Sequence, residues 1–161
     1  MTFTNIVVVV IFGILAVPVM GQLSGNIHPM QSNCNDVSHL LDRPTCKTSH
    51  EVYVLKDETI YVDYSTELCQ RAYGIEWDVP LGTVLSVIRI PKVPVLLSSL
   101  SIDLSGCDVS PAMTDVKDTL RYTCEAFGMS ISAQKNYIYE IIYVPTSKDF
   151  DLQCKKGCSR K

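Results

Sequence analysis

Charge is absent where the chain starts: residues 1–21 hold no ionisable side chain, and residues 6–17 are almost wholly apolar. A membrane span needs about 20 apolar residues. This run is shorter, breaks at Pro18 and ends on Val19-Met20-Gly21, with no polybasic flank. The pattern predicts a cleaved export signal over residues 1–21 rather than an anchor. Residues 83–104 are no candidate span either, because Arg89, Pro91, Lys92, Pro94 and Asp103 interrupt them.

Catalytic vocabulary is missing as well. There is no Gly-x-Ser-x-Gly elbow, no His-Glu-x-x-His, no phosphate-cradling glycine loop, no EF-hand loop and no Asn-x-Ser/Thr sequon. Histidine occurs only at His28, His39 and His50. Cys34, His39, Cys46 and His50 offer four zinc-type side chains. Their spacing, C-x4-H-x6-C-x3-H, matches no common zinc pattern, and an exported chain oxidises such cysteines. A thiol nucleophile would need an activated cysteine beside a histidine. The carboxylates form no pair with separable acid and base roles. An enzyme, a metal site and a cofactor are therefore not expected.

What the sequence does hold is a disulfide framework. All seven cysteines (Cys34, Cys46, Cys69, Cys107, Cys124, Cys154, Cys158) follow the export signal. In an oxidising compartment they read as three disulfides and one odd cysteine. The chain carries a net charge of −3, yet residues 155–161 supply four basic groups and no acid, which leaves −7 for the rest. A net-acidic body argues against a nucleic-acid partner, which needs a basic footprint. The basic tail reads either as a solvated terminus or as a contact for an acidic partner or membrane surface.

Strand signals dominate the remainder. Residues 22–33 read as a flexible leader, and Val37, Leu40 and Leu41 as one helical turn stopped by Pro44. Residues 51–55 and 59–64 flank a polar break at residues 56–58; Ile60, Val62 and Tyr64 alternate with Tyr61 and Asp63, the period of a half-buried strand. Similar runs occupy residues 75–79, 83–90, 100–104 and 120–124. Pro91 and Pro94 place the 83–90 strand at an edge or a crossing between sheets. Over residues 136–144, Tyr137, Tyr139, Ile141 and Tyr143 alternate with Ile138, Glu140, Ile142 and Val144, which suits a central strand covered on both faces. Six to eight short strands with little helix predict an all-β domain over residues 34–154. The expected fold is a disulfide-stapled antiparallel β-sandwich of immunoglobulin-like two-sheet architecture, followed by the basic tail 155–161.

Two passages carry a family resemblance. The first is Cys34-x11-Cys46 leading into residues 51–64. The second is Val116-Lys117-Asp118-Thr119-Leu120-Arg121-Tyr122-Thr123, then residues 136–144, then Asp151-Leu152-Gln153-Cys154. Together they resemble the ML family of lipid-recognition domains. The chain departs from that pattern where Cys154 runs into Lys155-Lys156-Gly157-Cys158 instead of a final apolar strand. The resemblance implies two sheets that gape to hold a sterol, phospholipid or acyl chain. It also implies the pairs Cys46–Cys154, Cys34–Cys69 and Cys107–Cys124, with Cys158 left over.

Two functions are therefore expected of an extracellular or endolysosomal protein. One is a lipid or sterol carrier, or a lipid-sensing co-receptor working with a cell-surface receptor. Its contacts are expected from Ile60, Val62, Trp77, Val79, Tyr122, Tyr139 and Ile141. The other is a secreted protein-interaction module of adhesion, gamete-coat or immune-modulating type. Its core would be closed, and it would be a monomer or a dimer linked through Cys158.

Overall fold

A computed structural model describes residues 27–42, 48–114 and 117–154. The expected export signal, residues 22–26 of the leader, Pro44, Cys46, Val116 and the basic tail with Cys158 lie outside the described residues.

The expected helical turn is a short helix, α1 (Cys34–Leu41), held at its start by a capping box. The Asn33 side chain accepts from the backbone N–H groups of Asn35 and Asp36, while Asp36 accepts from the Asn33 N–H at 2.8 Å. Asp42 in the left-handed conformation ends the helix. Its buried side, Val37 and Leu41, faces the sheet.

Nine strands follow: β1 (His50–Val54), β2 (Glu58–Tyr64), β3 (Gln70–Ala72), β4 (Ile75–Trp77), β5 (Val84–Pro91), β6 (Asp108–Pro111), β7 (Thr119–Cys124), β8 (Met129–Gln134) and β9 (Tyr137–Tyr143). Seven form one antiparallel sheet in the order β1-β2-β5-β9-β8-β7-β6, and β3 pairs β4 in a second. The all-β, antiparallel, sandwich-like class expected from the sequence is the one observed, although the sheets are unequal. On the inner face, α1 and Ile27 cover β1, β2 and β5, while residues 95–104 pack over β7, β8 and β9. The small sheet joins a third cluster, in which Trp77 and Val79 meet Met30 and Leu85.

Three expectations change. Strand β5 is neither edge nor crossing but third in the sheet; Pro91 closes its end, where a missing N–H leaves the ladder intact. Residues 100–104 are not a strand. They lie in a connection with 3-10 turns at Leu97–Ser99 and Leu104–Gly106, and bonds such as Leu100 N–H to Leu97 O satisfy the backbone locally. In β9 the strict alternation breaks, because the register with β8 shifts at Ser132/Ala133. Ile138 (5% exposed), and not Tyr139 (45% exposed), therefore turns inward beside Ala133.

The cysteine pairing also differs from what the family resemblance implies. Cys69 bonds Cys154, so neither Cys34–Cys69 nor Cys46–Cys154 forms. Cys107 bonds Cys124. Cys34 is itself disulfide-bonded, to a partner outside the described residues. The reason is topological. The segment ending at Cys154 pairs with β4, through the Trp77–Gln153 bridge and the Cys154 N–H to Glu76 O bond of 2.9 Å, which brings it to the base of the β3–β4 hairpin where Cys69 lies. These bonds suit an oxidising, extracellular-type environment.

The β7–β8 turn depends on Gly128. Its φ is +57°, and a Cβ there would lie 2.4 Å from the Val144 carbonyl oxygen, which accepts no such approach. Gly128→Ala is expected to destabilise by more than about 1 kcal/mol, read as a lower urea midpoint with unchanged slope. The same change at Gly74, where nothing lies within 4 Å, costs only the strain of its φ of +79°.

Candidate functional site

Antiparallel register puts directly opposed residues on one face of the sheet. One inner row runs Tyr53–Ile60–Arg89–Ile141–Ile131–Tyr122–Val109 across all seven strands. Three of the expected lipid contacts, Ile60, Ile141 and Tyr122, share this row, and Val62 lies in the next one. Trp77 and Val79 belong instead to the cluster with Met30 and Leu85, where the indole N–H donates to Ala72 O at 3.0 Å. Tyr139 is exposed at the β9 irregularity. Six of the seven thus divide in pairs among three packing clusters, and Tyr139 is in none of them.

Between Ile60 and Ile141 stands Arg89, 3% exposed. Its Nε and Nη2 donate to the two oxygens of Glu58, 8% exposed, at 2.8 and 3.0 Å. Desolvation alone would lower the Arg89 pKa. The hydrogen bonds and negative charge of Glu58, with Tyr143, outweigh it and hold the pKa above its ordinary value. Sequence reading missed this pair, although Glu58 stands in phase with the buried Ile60, Val62 and Tyr64.

The outer face has two halves. The row opposite runs Val52–Tyr61–Ile88–Ile142–Ser130–Thr123–Asp108, apolar over β1, β2, β5 and β9 and polar over β8, β7 and β6. Val54 and Ile90 widen the apolar half. On the polar half Arg121, opposite Ser132 and Ser110, approaches Glu140 at 4.0 Å.

A hydrogen-bonded group borders the apolar half. His50 Nδ1 donates to Asp63 Oδ1 at 2.5 Å, and the Ser86 hydroxyl donates to Asp63 Oδ2 at 2.5 Å. The His50 ring also lies against Tyr61, with centroids 6.0 Å apart. Tyr73 reaches Ser86; desolvation of its phenol raises the pKa above 10.0, against the lowering influence of that hydrogen bond. Ser86 and His50 both bond Asp63 and not each other, so the three do not form a nucleophile-and-base relay. They form a fixed polar rim.

The chain matches no protein family, curated protein or solved structure. Function therefore rests on the two faces. Among the described residues no helix is long and apolar enough to cross a membrane. Of the zinc-type side chains, Cys34 is in a disulfide, His39 is on the exposed side of α1, His50 bonds Asp63, and Cys46 lies outside the described residues. A recess of about 260 Å³ opens beside Tyr64, Ser65 and Leu81 at one end of the sheet, away from the inner row.

Proposed function

We propose that this protein is a secreted interaction module whose outer sheet face binds another extracellular protein. The observation that supports this reading is the division of that face. Val52 and Val54 stand exposed on the edge strand β1, the half-buried Tyr61, Ile88 and Ile142 continue their apolar surface across β2, β5 and β9, and the His50–Asp63 pair borders it. An apolar centre with a polar rim is the anatomy of protein interfaces. The inner face, by contrast, is filled by α1 and the 92–107 connection, and an ion pair occupies its middle.

The carrier reading draws on Ile60, Val62, Tyr122 and Ile141 sharing the inner face, and one preparation tests both. The secreted protein is presented to an arrayed set of receptor ectodomains, and its native mass is measured before and after organic extraction. The expected result is a clean mass and a binder whose affinity falls at least about tenfold with Val52→Glu/Val54→Glu. Thr123→Glu, on the polar half, leaves that affinity unchanged. A removable adduct of a few hundred daltons would establish the carrier instead. Ectodomain binding indifferent to both valines would place the interface elsewhere.

A further inference from the structure

Antiparallel alternation gathers four separate connections at one end of the seven-stranded sheet, at residues 55–57, 92–96, 112–114 with 117–118, and 135–136. Hydrogen bonds join them side by side. The Lys92 N–H donates to Asp57 O at 2.8 Å, and Lys92 Nζ to Leu55 O at 2.7 Å. The Leu97 N–H donates to Asn136 O and the Ile138 N–H to Val95 O, both at 2.8 Å. Gln134 Nε2 then reaches Lys117 O at 2.7 Å. The result is a continuous rim across a seven-stranded sheet, on the order of 30 Å wide.

This rim carries Lys56, Lys92, Lys117 and Lys135, four of the five lysines among the described residues; Lys148 is the fifth. Asp57 and Asp118 accompany them. The opposite end is acidic, with Glu67 after β2, Asp108 opening β6, and Glu125 after β7. Four of the five described lysines thus share one end of the sheet. Between the lysines, Val93, Leu96 and Tyr137 are exposed, and Met113 is 97% exposed.

We propose that this rim docks on an anionic lipid surface, the lysines meeting the headgroups and Val93, Leu96, Met113 and Tyr137 entering the interface. Lysines alone would suit any polyanion. Solvent-exposed aliphatic and tyrosyl tips set between lysines match the layered chemistry of a bilayer surface, charge outside and hydrocarbon beneath. The rim is distinct from the outer sheet face, so the same molecule can sit on a membrane and hold a protein partner.

The test is co-sedimentation of the full secreted chain with phosphatidylcholine vesicles, with and without phosphatidylserine. Binding is expected only when phosphatidylserine is present and weakens as salt is raised. Lys117→Gln/Lys135→Gln lowers the vesicle affinity at least about tenfold. Val93→Ser/Met113→Ser lowers it further without changing the circular dichroism spectrum. Neutralising Lys155, Lys156, Arg160 and Lys161 leaves binding in place, and so does Val52→Glu/Val54→Glu. Four results would overturn the proposal: no binding to either vesicle, equal binding to both, loss only on neutralising the tail, or capture by heparin fragments without vesicle binding. The last would assign the lysines to a sulfated glycan.

Discussion

Glu58→Ala is expected to destabilise the protein by about 3–5 kcal/mol, more than truncating an apolar neighbour of the same size. The cost comes from what remains. Arg89 cannot shed its proton in a protein, and it sits in the middle of the inner face between Ile60 and Ile141. With the two bonds from Nε and Nη2 gone, a buried guanidinium loses the carboxylate that neutralises it and keeps its other partners, Tyr143 among them. Removing both charges has the opposite consequence. Glu58→Leu/Arg89→Met replaces an ion pair by packed hydrocarbon and is expected to lie within about 1 kcal/mol of the parent, or above it. Urea unfolding of the two variants makes the check. A Glu58→Ala cost below about 1 kcal/mol would show that water reaches Arg89 and that the inner face is not closed.

Why that pair escaped sequence reading is instructive. In β2 the alternation of Ile60, Val62 and Tyr64 with Tyr61 and Asp63 announces a half-buried strand, and the structure has one. The same period assigns Glu58 to the buried face, but a carboxylate there looks like a turn residue until its partner is known. That partner is Arg89, 31 residues on, on a strand reached only after the β3–β4 excursion. Periodicity is local and pairing is not. For the same reason β8 was missed: Met129, Ile131 and Ala133 do alternate with Ser130, Ser132 and Gln134, but small and polar residues dilute the signal. The β9 irregularity was invisible because a register shift leaves no mark on one strand's own sequence. The lysine rim is the extreme case, four residues spread from 56 to 135 that meet only through topology.

Arg89, the outer patch and the rim are connected by the way the sheet is covered. Because α1 and the 92–107 connection occupy the inner face, the outer face keeps the exposed residues Val52 and Val54 at its β1 edge. The 92–107 connection leaves β5 at the lysine end and reaches β6 at the acidic end, so it fixes both rims while closing the core. Val52 and Val54, at the edge of the outer face, are the apolar side chains there that remain exposed among the described residues of β1. That is the physical content of the interaction-module reading.

Replacing Cys69 and Cys154 together is the second large effect, and it tests where the chain is stapled. The bond closes a separation of 85 residues, the Cys107–Cys124 bond one of 17. Chain entropy alone puts the first at about 4.6 kcal/mol and the second at about 3.2 kcal/mol. Cys69→Ser/Cys154→Ser should therefore lower stability more than Cys107→Ser/Cys124→Ser. It should also act first on one place. The final segment is held to β4 by the Asp78 N–H to Leu152 O bond, the Cys154 N–H to Glu76 O bond and the Trp77–Gln153 bridge. Freed of its disulfide, this segment frays and uncovers Trp77, the only tryptophan in the chain. A red-shifted emission at urea concentrations that leave the sheet's circular dichroism intact is the expected signature. Coincident transitions would mean that the C-terminal segment is integral to the sheet. A peptide map linking Cys34 to Cys69 would instead restore the pairing that the family resemblance implies and remove the basis for the ranking.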